Sequence, residues 1–206
     1  MSFVEYMNAG GSIMWIILGI SVVAAALIIE RLIFFAMASA DPFKLEASFK
    51  KALAEGDANA ALSAVKGRSS MHRLFFEAWS NWSLADPDMS TLLEQQLRRE
   101  IYRWGENLTF LEIAAKVSPL LGLLGTVLGM VEMFQTLNMG NTVNAATVTG
   151  GIWKALFTTV AGLTVAIPAI VAHGLLCGRI EREEESLRRG ADFIIRERMG
   201  YRKNAN

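Results

Sequence analysis

The chain has 206 residues, of which 52% are hydrophobic and 19% are charged, and its mean hydropathy is +0.32. Lys and Arg number 20, as do Asp and Glu, and the two signs are interleaved, which argues against a nucleic-acid-binding surface. The single cysteine, Cys177, excludes an intrachain disulfide and a cysteine-based zinc cage, and we interpret it as a small apolar residue near a helix end.

Charge is nearly absent from three windows, and the first of them predicts a membrane helix at residues 13–38. It is too long for the apolar region of a signal peptide, and residues 1–12 contain no Lys or Arg, so we expect it to be retained. Trp15 fits an interfacial anchor at its start. Near its end, Glu30 and Arg31 either pair with each other or extend toward the membrane surface.

Residues 39–112 form a hydrophilic region with nine Lys/Arg and eleven Asp/Glu. Amphipathic patterns predict helices over 44–55, 57–66 and 71–82. Asp86 and Pro87 predict the start of a fourth helix, with Asp as its cap, and a capping box at Thr91–Glu94 is the alternative start. Gly and Pro are then absent until Gly105 and Pro119, so we expect one helix of about 75 Å from about Asp88 to Leu137.

The second and third apolar windows predict membrane helices at residues 113–137 and 152–178, joined by a short uncharged outer loop at 138–151. At about 100° per residue, each helix carries a stripe of small and polar side chains. Small residues let helix backbones approach closely in lipid, so the sequence predicts helix packing at Gly122, Gly125, Gly129, Gly162 and Ala166.

The distribution of basic residues predicts the orientation of the chain. Nine Lys/Arg lie in residues 39–112 and eight in the tail after Cys177, whereas residues 1–12 and 138–153 have none. Under the positive-inside rule, the hydrophilic region and the mixed-charge helical tail at 179–206 are cytoplasmic and the N-terminus is periplasmic. The predicted fold is therefore all-α and polytopic, with three transmembrane helices, two of which extend into a cytoplasmic helical bundle.

Three motifs together resemble those of a known family. Ser-Pro-Leu-Leu-Gly-Leu-Leu-Gly-Thr-Val-x-Gly-Met at 118–130 is followed by Gly-Ile-x-x-Ala-Leu-x-x-Thr-x-x-Gly-Leu at 151–163 and by Ala-Ile-Pro-Ala at 166–169. In combination they resemble the ExbB/TolQ/MotA proton-channel family, and the ExbB/TolQ branch most. The resemblance implies a homo-oligomeric ring, a pentamer in known members, around an ExbD/TolR-like single-span partner that bears a membrane aspartate. It also implies that the ring energises a TonB/TolA-like protein.

Three threonines are candidates for lining an ion pathway. A hydroxyl can coordinate an ion or a water chain but holds no transferable proton at physiological pH, and neither stripe has a carboxylate near the middle of the membrane. A partner must therefore supply one. Thr126 and Thr159 fall on motif positions that the resemblance assigns to the pore. For Thr158, pathway lining and a bond to a carbonyl one turn back are equally favoured.

Lys154 departs from the family pattern, which usually has glutamate at this position. Because Glu132 and Lys154 both lie near the outer membrane surface, we hypothesise an ion pair between them at the pore mouth, with a Lys154 that merely extends outward as the alternative. His173 is a possible proton relay or a packed, hydrogen-bonded histidine. Pro119 and Pro168 are candidates for helix kinks.

These patterns predict a subunit of a proton-motive-force-driven motor in the bacterial inner membrane, serving outer-membrane transport or envelope maintenance. The alternatives are a flagellar or gliding stator, driven by protons or sodium, and a structural membrane scaffold that conducts no ions. We expect no enzyme, because there is no metal-ligand cluster, no nucleotide-binding glycine loop and no nucleophile at a usable distance from a base. We likewise expect no cofactor and no metal.

Overall fold

The computed structural model describes residues 7, 10–38, 42–55, 58–138 and 145–205, and every element among them is a helix. In chain order these helices are α1 (Gly11–Ala38), α2 (Pro42–Glu55), α3 (Ala58–Val65), α4 (Ser70–Ser80), α5 (Asp86–Gly105), α6 (Leu108–Asn138) and α7 (Ala145–Ala205). The all-α prediction is confirmed, and three helices are long and apolar enough to cross a membrane. Most of the predicted N-terminal segment 1–12 and residues 139–144 of the predicted outer loop lie outside the described residues.

The helices predicted in the hydrophilic region are confirmed as α2, α3 and α4. The start of α4 follows ordinary capping: Ser69 has an extended backbone and its Oγ accepts a hydrogen bond from the His72 N–H at 3.3 Å. At α5 the expected cap is wrong, since Ala85 is the capping residue and Asp86 and Pro87 already lie in the first turn. Proline suits that position because its missing N–H would have had no helical partner.

The single helix expected from about Asp88 to Leu137 is also wrong, because the structure ends α5 at Gly105 and begins α6 at Leu108. Asn107 between them has a φ of 63°, a left-handed conformation that asparagine tolerates better than most residues. The other difference is at α7, which begins at Ala145, inside the stretch predicted as a loop. Its Ala-Ala-Thr-Val start is compatible with helix, and no proline precedes it after residue 138.

The chain divides into two compact units. The apolar unit contains residues up to Glu30 and Asn107–Leu176, and therefore most of α1, all of α6 and the first half of α7. Its leucines, valines and isoleucines are largely exposed, as Leu120 and Val160 illustrate at 63% and 57%. Helices that span a membrane expose apolar side chains to lipid over the thickness of the bilayer, and this pattern agrees with that arrangement.

The hydrophilic unit contains Arg31–Glu106 and the chain from Cys177 onward. It has an ordinary buried core in which α2, α4, α5 and the end of α7 meet around Phe49, Phe75, Leu93, Leu187 and Ile194. Phe49 packs edge-on against Phe75 with ring centroids 5.2 Å apart. Gly190 lets α7 lie close to α4, because a Cβ there would be 2.6 Å from the Met71 sulfur. The core explains why this part of the chain alternates charge with apolar residues.

Candidate functional site

Helices α6 and α7 touch backbone to backbone along a glycine seam, which we define as Gly122 and Gly125 of α6 and Gly162 of α7. A Cβ on Gly122 would lie 2.9 Å from the Thr158 carbonyl oxygen, and a Cβ on Gly162 would lie 2.5 Å from that of Ser118. Such distances leave no room for a side chain. The structure thus places these predicted packing residues where the two helices meet.

The other two predicted packing residues lie beside the seam. A Cβ on Gly129 would be 3.3 Å from the Ala155 Cβ, which is a tight contact but one that small shifts can relieve. Ala166 is buried, with 1% of its surface exposed. The seam with its flanks therefore runs through α6 and α7 as a strip of small residues in contact, the arrangement that brings membrane helices close enough for dispersion and hydrogen bonding.

The three candidate threonines all bond main-chain carbonyls. Thr158 is 1% exposed, and its Oγ1 donates to the Ala155 carbonyl at 2.7 Å and lies 3.2 Å from the Gly122 carbonyl. Thr159 donates to the same Gly122 carbonyl at 3.2 Å, and Thr126 donates to the Leu123 carbonyl at 2.6 Å. Thr158 is therefore enclosed between α6 and α7 within one chain, whereas Thr126 and Thr159 are only half-buried and keep a free face.

Ser118 is a residue that the sequence reasoning did not single out, although it lies on the same stripe. Its side chain is fully buried, and its Oγ has no hydrogen-bond partner among the described residues. A buried hydroxyl without a partner is uncommon and costs free energy. In the sequence, the only sign that Ser118 is a special residue was its place on that stripe directly before Pro119.

Near the end of α6 and the start of α7, Lys154 Nζ lies 3.2 Å from Glu132 Oε2. The Lys154 side chain is 34% exposed and the Glu132 side chain 69% exposed, so the contact lies at the surface of the single chain. It borders a cavity of about 270 Å³ lined by Gly10, Gly11, Gly125, Gly129, Thr158, Glu132 and Lys154 among others. The geometry brings together the two charges that the sequence proposed to pair, and their position at a pore mouth stays a prediction.

His173 and the two prolines lie toward the other end of the apolar unit. His173 is half-buried and interacts electrostatically with Glu112, whose Oε1 lies 2.5 Å from Lys116 Nζ. The relay role of His173 stays a prediction, and Glu112 is a neighbour that the sequence reasoning missed. The α6 helix continues through Pro119 and α7 through Pro168, so neither proline ends its helix.

The hydrophilic unit holds a buried polar cluster that the sequence reasoning also missed. Glu100 is 1% exposed and accepts a hydrogen bond from Arg73 Nε at 2.7 Å, while Gln96 Nε2 donates to the same Oε1 at 3.1 Å. Glu183 of α7 faces this pair, and burial, with repulsion from Glu100, raises its pKa to about 7 against the opposing effect of Arg73. Trp104 Nε1 donates to Ser70 Oγ at 2.7 Å beside it.

A model of the MotA/TolQ/ExbB proton channel family matches residues 66–189, which is more than half of the chain. The chain belongs to this family. It is 35% identical over 167 residues to putative biopolymer transport protein ExbB-like 3 of Synechocystis sp., and the match covers 79% of each chain.

Two other relatives match over shorter stretches. The chain is 34% identical over 101 residues to biopolymer transport protein exbB1 of Vibrio cholerae, which covers 48% of this chain and 43% of that one. It is 37% identical over 89 residues to Tol-Pal system protein TolQ of Haemophilus influenzae, which covers 43% of this chain and 39% of that one. The chain thus spans less than half the length of these two relatives.

As a MotA/TolQ/ExbB family member with three helices long enough to cross a bilayer, the chain is a membrane protein, and the family is one of channel-type transport proteins. The family match includes the whole glycine seam, the three threonines and the Glu132–Lys154 contact, since all lie between residues 66 and 189. The motif residues and the close approach of α6 and α7 therefore coincide.

Proposed function

We propose that this chain forms the ring of a proton-motive-force-driven motor in the bacterial inner membrane, around an ExbD/TolR-like partner whose aspartate carries the proton. The motor would energise a TonB/TolA-like protein for outer-membrane transport or envelope maintenance. Family membership supports the channel, and relatives named as biopolymer transport and Tol-Pal proteins support the two tasks.

The observation that carries the proposal is the glycine seam. Where α6 and α7 touch through Gly122 and Gly162, the backbones leave no space for a file of water between these two helices. Thr158 is buried there with its hydroxyl bonded to carbonyls. We therefore place the conducting path between chains or along a partner, where the half-buried Thr126 and Thr159 are the hydroxyls available to line it.

The absence of an acid supports the need for a partner. Between Glu112 and Glu132 the sequence of α6 contains no Asp or Glu, and α7 contains none before Glu181. Proton hopping across the membrane requires a titratable group near its middle. A partner helix with an aspartate would supply that group.

The proposed topology has three membrane spans, with residues 13–38, 113–137 and 152–178 in the bilayer. Residues 39–112 and 179–206 would be cytoplasmic and the N-terminus periplasmic, following the distribution of Lys and Arg. The core of the hydrophilic unit supports an aqueous location for both stretches, since it is built from residues of each.

Proton flux into liposomes tests the proposal. The chain is reconstituted with and without a single-span partner that bears a membrane aspartate, and a dye reports internal pH after a proton gradient is imposed. We expect flux only with both proteins, and a reduced flux for Thr159→Ala. The matched control is Thr164→Ala, because the exposed Thr164 also bonds a carbonyl, that of Val160 at 2.8 Å, but lies off the seam.

The outcome also separates the alternatives. Flux driven only by a sodium gradient would favour a sodium stator, and no flux with a partner that assembles correctly would favour a structural scaffold. Flux from the chain alone would refute the requirement for an external carboxylate. If Thr159→Ala and Thr164→Ala changed the proton flux equally, Thr159 would not line the pathway.

A further inference from the structure

An open cavity in the hydrophilic unit is lined by four arginines. It measures about 570 Å³ and is bordered by Arg73, Arg98, Arg99, Arg103, Glu100 and Tyr102, and we call it the arginine cavity. Arg98, Arg99, Tyr102 and Arg103 are exposed and follow one another on the last two turns of α5. Four guanidinium groups around one opening are the chemistry of an anion site.

The acids near the cavity leave positive charge in excess. Glu100 is buried and bonded by Arg73, with Arg103 Nη1 at 3.6 Å. Arg98 pairs with Glu94 at 2.7 Å, but both side chains are more than half exposed, and such surface pairs exchange easily for another anion. Even with Glu183 fully ionised, the four arginines exceed the three carboxylates by one charge. Arg99 makes no ion pair with a described residue.

The cavity lies beside the inner end of the first membrane helix. Trp104, next to Arg103, packs against Phe34 and Phe35 of α1 with ring centroids 5.4 and 4.5 Å apart, and Arg31 donates to the Arg103 carbonyl at 3.0 Å. Phe34 and Phe35 belong to the last turns of the predicted membrane helix 13–38. The end of α5 therefore contacts the part of α1 that the proposed topology places nearest the cytoplasm.

The exposed residues at the end of α5 suit a membrane interface. Arg99 and Arg103 are exposed cations, and a guanidinium group can bind a phosphate through two parallel hydrogen bonds. Tyr102 is 79% exposed on the same turn, and exposed tyrosine is favoured at the membrane interface. The charge of the cavity, the exposed tyrosine and the contact of α5 with the last turns of α1 thus agree on one class of anion.

We propose that the arginine cavity binds the phosphate headgroup of an anionic phospholipid in the cytoplasmic leaflet. The site rests on the proposed placement of α1 in the membrane and on the cytoplasmic location of α5, and it is independent of ion conduction. Arg99 and Arg103 contact the phosphate oxygens, and the ring of Tyr102 lies against the glycerol region. Arg73 stays with Glu100 and closes the floor of the cavity.

Native mass spectrometry of the full-length protein tests the site. The protein in detergent is titrated separately with phosphatidylglycerol and phosphatidylcholine, and apparent affinities are compared for wild type, the double variant Arg99→Gln/Arg103→Gln, and the control Arg188→Gln/Arg196→Gln. The control removes the same charge from exposed positions on the α7 tail. We expect phosphatidylglycerol to bind wild type and control more tightly than phosphatidylcholine.

The double variant should bind phosphatidylglycerol about twenty-five-fold more weakly, at roughly a five-fold loss for each basic residue near an anionic membrane surface, with phosphatidylcholine unchanged. Equal affinity of the wild type for both lipids, or an unchanged affinity in the double variant, would overturn the site. Displacement of the lipid by excess inorganic phosphate would show that the cavity takes a soluble anion instead. Proton flux that persists in the variant separates this result from the proposed function.

Discussion

Adding one methyl group at the glycine seam should separate α6 from α7. In Gly162→Ala the new Cβ would lie 2.5 Å from the Ser118 carbonyl oxygen, about 0.9 Å short of the 3.4 Å at which ordinary contact begins. The obstacle is backbone, which cannot rotate away, so we take the upper part of the overpacking range, about 3 kcal/mol. The greater helix propensity of alanine offsets about 1 kcal/mol. The expected net loss is about 2 kcal/mol.

Reversible unfolding in mixed micelles of increasing sodium dodecyl sulfate content, followed by far-ultraviolet circular dichroism, measures this loss. Gly174→Ala is the matched control on the same helix, because its Cβ would meet nothing within 4 Å. It should gain about 1 kcal/mol from helix propensity alone. If Gly162→Ala gains as much as Gly174→Ala, the close contact of the two backbones is refuted, and with it the exclusion of water between α6 and α7.

Three further predictions concern charged residues. Glu132→Gln, Lys154→Gln and the double variant should show a coupling free energy of about 0.5–1 kcal/mol in the same unfolding assay, and additive effects would reject the ion pair. Glu183→Gln should be about 1–2 kcal/mol more stable than wild type at about pH 8 and should lose that advantage below about pH 5. The reason is that the raised pKa of Glu183, about 7, makes its ionisation unfavourable in the folded state. A stability difference that does not change with pH would assign the effect to packing. Glu100→Gln should lose about 3 kcal/mol, since it leaves the partly buried Arg73 without its anion, and a loss below about 1 kcal/mol would contradict that role.

Composition and periodicity were sufficient for the all-α class and for the positions of the long apolar helices. The windows without charge predicted the three apolar helices, and amphipathic spacing predicted α2, α3 and α4. The break at Asn107 was not predictable in the same way, because neither Gly nor Pro marks it and asparagine enters the left-handed region only in some contexts. Helix propensity correctly predicted helix before and after the break, but it gave no sign that Asn107 would interrupt it.

The contact between α6 and α7 was predictable because one face of each helix carries the signal. The small-residue stripes predicted contact at Gly122 and Gly162, and the structure places both in the seam. Whether Thr158 faces the neighbouring helix or a pathway depends on the rotation of α7 against α6, which periodicity does not give. Glu100 was missed because its carboxylate stands on the apolar stripe of α5, between Leu97 and Trp104, and its partner Arg73 lies 27 residues away.

Arg31 links the first helix to a segment made much later. Its guanidinium is 3% exposed and bonded to the Arg103 carbonyl, 72 residues further along the chain. A ribosome that adds roughly 5–20 residues per second needs about 4–14 s to synthesise that stretch. During this delay the Arg31 guanidinium of the nascent first helix has no Arg103 carbonyl to bond. The last turns of α1 can therefore reach their final packing only after α5 has been translated.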